Sequence, residues 1–74
     1  MAKLPATSGK ELIRVLSRDG FVQVRQAGSH VLLEHVDGRI TTIPVHGKKD
    51  LPKGTLRGIL RDIEITPEQL RSMM

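Results

Sequence analysis

The dipeptide Asp37-Gly38 is the feature that most restricts what this chain of 74 residues can fold into. Runs rich in strand-forming residues flank it. Asp-Gly between two such runs is typical of a β-hairpin, because a two-residue type I′ turn needs a positive φ at both central positions. We therefore predict antiparallel strands over His30–Val36 and Arg39–Val45. Pro44 lacks an N–H group, which favours the end of an edge strand for the second segment.

The segments before this hairpin predict a helix and a further strand. Ser8 and Glu11 have the spacing of a capping box, and an apolar run at helical spacing follows them, which predicts a helix over 8–19. Phe21–Gln26 is rich in strand formers, and the turn residues 27–29 join it to the hairpin. Together these segments predict one helix followed by a three-stranded meander.

The segments after the hairpin predict two more helices. Asp50 is a candidate cap for the first of them, and Thr66-Pro67 predicts the start of a short helix over 67–73. The first helix is expected over 52–63, because four apolar residues there have i, i+3, i+4, i+7 spacing. These residues are Leu56, Ile59, Leu60 and Ile63.

The resulting order of elements is α-β-β-β-α with a short C-terminal helix. The simplest way to bury the apolar faces is an α+β domain in which a three-stranded antiparallel sheet carries the helices on one face. Double-stranded-RNA-binding domains share this layout. A chain of 74 residues suffices for one small domain, which we assign to residues 1–74.

Composition excludes several functional classes. The chain has one Phe and no Trp or Tyr, which excludes RNA-binding modules that stack bases on several exposed aromatic rings. It has no Cys, which excludes a disulfide framework and a thiolate metal site. No apolar run approaches the roughly 20 residues that span a bilayer. Residues 1–5 lack the apolar core of a secretory signal, so we expect a cytoplasmic protein.

Two of the three histidines are candidates for acid–base chemistry near neutral pH. The predicted two-residue turn pairs His30 with Val45, which places His46 beside His30 at one end of the sheet. A slip of one residue in this register would exchange the two faces of the sheet. Strand parity places His35 on the other face, where we assign it no role. Surface histidines without a function remain the alternative for the pair, and no metal site is predicted because ligand spacing is lacking.

The whole chain has a net charge of +4, and its basic residues concentrate in the second half. Lys48 and Lys49 lie in a loop, and Lys53, Arg57 and Arg61 recur every four residues along the second predicted helix. These basic residues form either a phosphate-binding surface or the solvated face that any amphipathic helix has. The near absence of acidic residues on the same face favours RNA as the partner.

Three separated motifs occur in a fixed order along the chain. They are RQAGSH over Arg25–His30, IPVH over Ile43–His46 and KDLPKGTLRGILR over Lys49–Arg61. Together they resemble the HicA family of toxin ribonucleases, and the resemblance extends over Ser8–Ile65. It implies a double-stranded-RNA-binding-like fold, cleavage of mRNA, and inhibition by a HicB-type antitoxin. We expect no cofactor, because internal attack by the ribose 2′-hydroxyl needs no metal ion.

The resemblance also implies site residues. The histidine of the Gly-Ser-His motif, here His30, is the expected catalytic residue. The resemblance assigns no role to His46, which stays a candidate second acid or base on the register argument alone. The charge pattern and the expected mechanism, and not the resemblance, indicate the residues that contact RNA or its phosphates, which are Gly28, Ser29, Lys48, Lys49, Lys53 and Arg57. The alternative is a non-catalytic RNA-binding or protein-interaction module of the same fold, which would have no need of a histidine after Gly-Ser.

Overall fold

The fold is described here from a computed structural model, which describes residues 3–74. It confirms the predicted α+β layout, with helices on one face of a three-stranded antiparallel sheet and a short C-terminal helix. The elements are α1 (Gly9–Arg18), β1 (Phe21–Ala27), β2 (His30–His35), β3 (Ile40–Pro44), α2 (Lys53–Asp62) and α3 (Pro67–Met73).

Side-chain caps start two of the three helices. The Glu11 N–H donates to Ser8 Oγ at 3.1 Å, which confirms the predicted cap of α1. The second half of that predicted capping box is wrong, because the Glu11 carboxylate accepts from Arg14 one turn later instead of reaching back. Thr66 and Gln69 form a complete capping box at α3.

The start of α2 lacks a side-chain cap. The N-cap residue is Pro52, so the prediction that Asp50 caps this helix is wrong. The backbone before α2 is instead tied to the segment before α1. Leu51 N–H donates to the Thr7 carbonyl at 2.8 Å, and Ser8 and Asp50 form an antiparallel bridge. The chain before α2 is thus held by its backbone, and the Asp50 carboxylate is left on the surface.

The central strand of the sheet is β2, which pairs with β1 on one side and with β3 on the other. The β1–β2 register shifts between Gln23 and Arg25, so one residue of β1 is unpaired there. Along β2, Val31 and Leu33 are buried against the helices, whereas His30 is exposed. Successive residues of a strand point to opposite faces, so His30 lies on the face that carries no helix.

The connection between β2 and β3 differs from the predicted two-residue turn. His35 N–H donates to the Arg39 carbonyl at 2.8 Å, so the loop contains three residues, Val36–Gly38. A type I′ turn needs two positive φ values, and of the loop residues only Gly38 has one, at 99°. The Asp37 side chain accepts from the Arg39 N–H at 3.0 Å, which stabilises the longer loop.

This longer loop moves the strand register by one residue. His30 pairs with Pro44, and the predicted pairing with Val45 is therefore wrong. Val36, expected to end a strand, is 96% exposed in the loop. The order of the strands and the strands themselves are as predicted; the pairing across the hairpin is not.

The hydrophobic core lies between the helices and the inner face of the sheet. The apolar stripe predicted for α2 is buried, as is the face of α1 that packs on β1 and β3. The α1 helix approaches β3 so closely at Gly9 that a Cβ atom there would overlap the Pro44 carbonyl oxygen. The buried apolar residues are Leu12, Val15, Leu16, Phe21, Val31, Leu33, Ile43, Leu51, Leu56, Ile59, Leu60, Ile63, Ile65 and Leu70.

Candidate functional site

The Gly28-Ser29 turn connects β1 to β2 and determines where His30 enters the sheet. Ala27 pairs with His30, so two residues form the turn. Gly28 has a φ of 60° and Ser29 does not have a positive φ, which is the pattern of a type II′ turn with Gly in its first central position. The turn makes His30 the first residue of the central strand.

The backbone of His30 is held on both sides. It pairs with Ala27 of β1 and with Pro44 of β3. The ladder continues past β3, where Val45 N–H donates to the Ser29 carbonyl at 2.6 Å. The His30 side chain is exposed and makes no hydrogen bond or ion pair with the residues that the structure describes. An imidazole on a rigid backbone, open to solvent, can meet a large ligand that approaches the sheet.

His46 lies just beyond the end of β3, in the loop that leads to α2. Lys49 N–H donates to the His46 carbonyl at 3.2 Å and closes a turn, in which Gly47 has a φ of 61°. His46 and Lys49 both line a cleft of about 430 Å³ between β3 and α2. We call it the β3–α2 cleft, and its lining residues are Pro44, His46, Lys49, Asp50, Leu51, Pro52 and Thr55.

The two candidate histidines lie at the same end of the sheet but do not line a common cleft. His30 is absent from the walls of the β3–α2 cleft, although its strand partner Pro44 is one of them. The structure thus places His46 just beyond the end of the strand pair that carries His30. It gives no contact between the two imidazole rings.

The basic residues are distributed over three neighbouring surfaces. Lys49 lines the β3–α2 cleft, whereas Lys48 lines a second cleft of about 360 Å³ against the start of α1. Lys53 and Arg57 are exposed on α2, one turn apart, and the first turn of α2 holds no acidic residue. Arg61 continues this line of charge on the last turn of α2. The loop therefore divides its two adjacent lysines between α1 and α2.

His35, to which the sequence assigned no role, has a structural one. Its ring packs edge-on against Phe21 at 4.9 Å between centroids, and its Nε2 lies 3.0 Å from the Asp19 carbonyl oxygen. Its Nδ1 accepts from the Asp37 N–H at 3.2 Å. These contacts tie the end of α1 to the β2–β3 loop, and His35 lies on the sheet face opposite to His30.

The β2–β3 loop also carries a perturbed carboxyl group. The Arg39 backbone N–H lowers the pKa of Asp37, and the Arg39 guanidinium, 2.8 Å from Asp37 Oδ2, acts in the same direction. Arg39 in turn donates to the Ile63 carbonyl after α2 at 2.7 Å. This network stabilises the end of the sheet that is remote from His30.

Sequence reasoning missed several residues of the β3–α2 cleft. Pro44 ends β3, whereas Leu51 and Thr55 lie at the start of α2, and the packing of β3 beside α2 brings them together. The one signal for them is that all three fall within the IPVH and KDLPKGTLRGILR motifs. Among residues 3–74, no group of three or more His, Asp or Glu side chains is placed to hold a metal ion.

The fold and this surface define a class of small α-β-β-β-α protein with an exposed histidine beside a basic loop. Residues 9–65 of the 74 match the family described as HicA toxin of bacterial toxin-antitoxin systems. The chain belongs to the HicA toxin family, and it is the toxin member of such a system. No curated protein sequence matches it. None of the helices within residues 3–74 is long and apolar enough to cross a membrane.

Proposed function

We propose that this toxin is an endoribonuclease that cleaves mRNA with His30 and that a HicB-type antitoxin inhibits it. The observation that carries the proposal is the position of His30 in a chain of this toxin family. Its backbone is held by strands on both sides, and its imidazole is open to solvent. A general acid or base needs this combination of fixed position and access to the substrate.

The reaction we propose is an internal transfer that requires no metal ion. The ribose 2′-oxygen attacks the adjacent phosphorus and forms a P–O bond, while the bond from phosphorus to the 5′-oxygen of the next nucleotide breaks. The products are a 2′,3′-cyclic phosphate and a free 5′-hydroxyl group. His30 acts either as the base that removes the 2′-hydroxyl proton or as the acid that protonates the leaving oxygen, a contribution of about 10²–10⁴-fold. His46 is the candidate for the other of these two roles.

Basic side chains on the elements that follow β3 support phosphate binding in this scheme. Lys48, Lys49, Lys53 and Arg57 lie on the loop and helix that follow β3. Positive charge near the scissile phosphate stabilises the charge that develops on its oxygens in the transition state. A backbone N–H of Gly28 or Ser29, in the turn just before His30, is a further candidate donor to the phosphate oxygens.

The antitoxin has two physical ways to silence such an enzyme. It can cover His30, which projects from the open face of the sheet, or it can neutralise the basic residues and exclude RNA phosphates. Either mode suits an antitoxin with an acidic surface, because the toxin carries a net charge of +4. We propose that the antitoxin is of the HicB type and that its RNA-excluding surface is acidic.

Induction of the toxin in growing bacteria tests this proposal. The parent chain is expected to arrest growth, and His30→Ala is expected to accumulate to the same level without arrest. Thr42→Ala is a matched control, because Thr42 is exposed on the neighbouring strand β3. Growth arrest by His30→Ala would refute the catalytic assignment, and RNA binding without arrest by the parent would indicate the non-catalytic module instead.

A further inference from the structure

The β3–α2 cleft begins at Pro44, the strand partner of His30, and the cleavage scheme leaves five of its seven lining residues, all but His46 and Lys49, without a role. We propose that it is a nucleobase subsite, which binds a base of the RNA next to the scissile phosphate and prefers bases with an amino group over uracil. The inference rests on the proposed ribonuclease function, since it specifies how that enzyme would select its substrate. It depends on the walls, charge and position of the cleft.

The walls of the cleft suit a flat ring. Its volume of about 430 Å³ lies within the range of small-molecule sites, roughly 300–1,000 Å³. Pro44, Leu51 and Pro52 supply apolar surface, and His46 supplies an exposed imidazole ring. Single-stranded RNA is recognised by proteins that stack its unpaired bases on ring side chains. The one Phe of the chain is buried, so the ring on which a base can stack in this cleft is the imidazole of His46.

The charge of the cleft distinguishes a base from a phosphate. Asp50 lines it, and within residues 3–74 the Asp50 carboxylate makes no ion pair or hydrogen bond. A carboxylate only accepts hydrogen bonds and repels a phosphate group. Its partners in RNA are therefore hydrogen-bond donors, which are the ribose 2′-hydroxyl and the N–H groups on base edges. Of these, only the base-edge donors differ from one base to another. Lys49 on the same rim can hold a flanking phosphate while the base enters.

Uracil is the base that fits such a carboxylate least well. Adenine, cytosine and guanine each carry an exocyclic amino group that can donate to Asp50, and guanine carries a ring N–H beside it. Uracil has no amino group, and carbonyl oxygens flank its ring N–H, so one of them would face the carboxylate. An unmatched acceptor pair in a partly desolvated site is unfavourable. We therefore expect uracil to be rejected by roughly tenfold or more relative to guanine.

The position of the cleft connects it to the reaction. Pro44 is the strand partner of His30 and also part of the cleft wall. Thr55, in the first turn of α2, also lines the cleft, and its hydroxyl is a second candidate partner for the base. RNA that places a phosphate at His30 can thus place a neighbouring base in the cleft without leaving the surface.

The test maps cleavage sites in an RNA of mixed sequence and scores the bases that flank each site. For the parent we expect uracil to be depleted at one flanking position. Asp50→Asn should lose that depletion, because an amide both donates and accepts. Asp19→Asn is the control, since it makes the same change of charge at an exposed position outside the cleft. A profile for Asp50→Asn that still excludes uracil as the parent does would overturn the inference.

A binding measurement separates this inference from the cleavage proposal. His30→Ala is titrated with two short RNAs that differ only in carrying guanine or uracil, and backbone amide signals are followed by NMR. The signals of Leu51 and Thr55 are expected to shift with the guanine RNA at concentrations at least tenfold lower. Equal response to both RNAs, or no response at these residues, would refute the subsite. A parent that cleaves no RNA would refute the ribonuclease proposal and leave this measurement valid.

Discussion

Replacing Gly9 by Ala is a direct test of how the fold holds the end of β3 beside His30. Gly9 is the first residue of α1, and its backbone lies against the backbone of β3. A Cβ atom there would overlap the Pro44 carbonyl oxygen. It would also lie 3.1 Å from the Pro44 carbonyl carbon and 3.3 Å from Ile43 Cγ2. Because the obstacle is mainly backbone, no rotamer change can relieve it, and either α1 or β3 must move.

Two opposing effects determine the size of the change. Overpacking of this kind costs about 1–3 kcal/mol. Alanine is favoured over glycine within a helix by at most about 1 kcal/mol. We therefore expect Gly9→Ala to lower the free energy of unfolding by roughly 1–2 kcal/mol, and about 4–8 °C of Tm is lost for each kcal/mol in a domain of this size.

Two other glycines provide matched controls on α2. Gly54 and Gly58 both lie within the helix, and a Cβ on either would meet no atom within 4 Å. Gly54→Ala and Gly58→Ala should therefore raise stability by up to about 1 kcal/mol, since only the helix preference changes. The same substitution of Gly by Ala is thus expected to lower stability in α1 and to raise it in α2.

Urea and thermal unfolding followed by far-UV circular dichroism provide the measurement. The chain has no Trp or Tyr, so the helical signal replaces intrinsic fluorescence. A Gly9→Ala chain that is as stable as the Gly58→Ala chain would refute the reasoning. It would mean that α1 does not approach β3 as closely as described.

Three further predictions concern the core, the β2–β3 loop and the basic surface. Leu33→Ala, at a fully buried position of the central strand, should cost about 2–5 kcal/mol in urea unfolding, because it leaves a cavity beneath the helices. The lowered pKa of Asp37 contributes stability that is fully present above the ordinary pKa of an unfolded aspartate and is lost as the pH falls through the lower folded value. Asp37→Asn should therefore make the free energy of unfolding depend less steeply on pH in the acidic range, which unfolding measurements at a series of pH values check. Lys53→Ala should weaken RNA binding and reduce the slope of log K against log salt by about 1, which a titration series in NaCl measures.

Local sequence patterns were sufficient to predict the helices and strands. The α2 stripe and the Ser8 cap depend on residues three or four positions apart, so periodicity and capping chemistry identify them directly. The hairpin register was missed for a physical reason. Asp37 uses its side chain to accept from the Arg39 N–H, and this contact favours a three-residue loop over the turn that Asp-Gly usually forms.

The arrangement of the site depends on tertiary packing that the sequence does not display. Lys48 and Lys49 are adjacent in the chain but line different clefts, one against α1 and one against α2. Pro44 and Thr55 lie on different elements, β3 and α2, and line the same cleft. His30 was identifiable from its Gly-Ser-His motif. Its pairing with Pro44 could be identified only from the observed register of β2 and β3.

The central claim, that His30 carries out RNA cleavage, is tested most directly with purified protein and a short RNA in the presence of EDTA. The parent chain should cleave the RNA and leave 2′,3′-cyclic phosphate and 5′-hydroxyl ends, which mass spectrometry identifies. His30→Ala, with an unchanged circular dichroism spectrum, should cleave at least about 10²-fold more slowly. Cleavage by His30→Ala at the parental rate, or loss of parental cleavage in EDTA, would contradict the account.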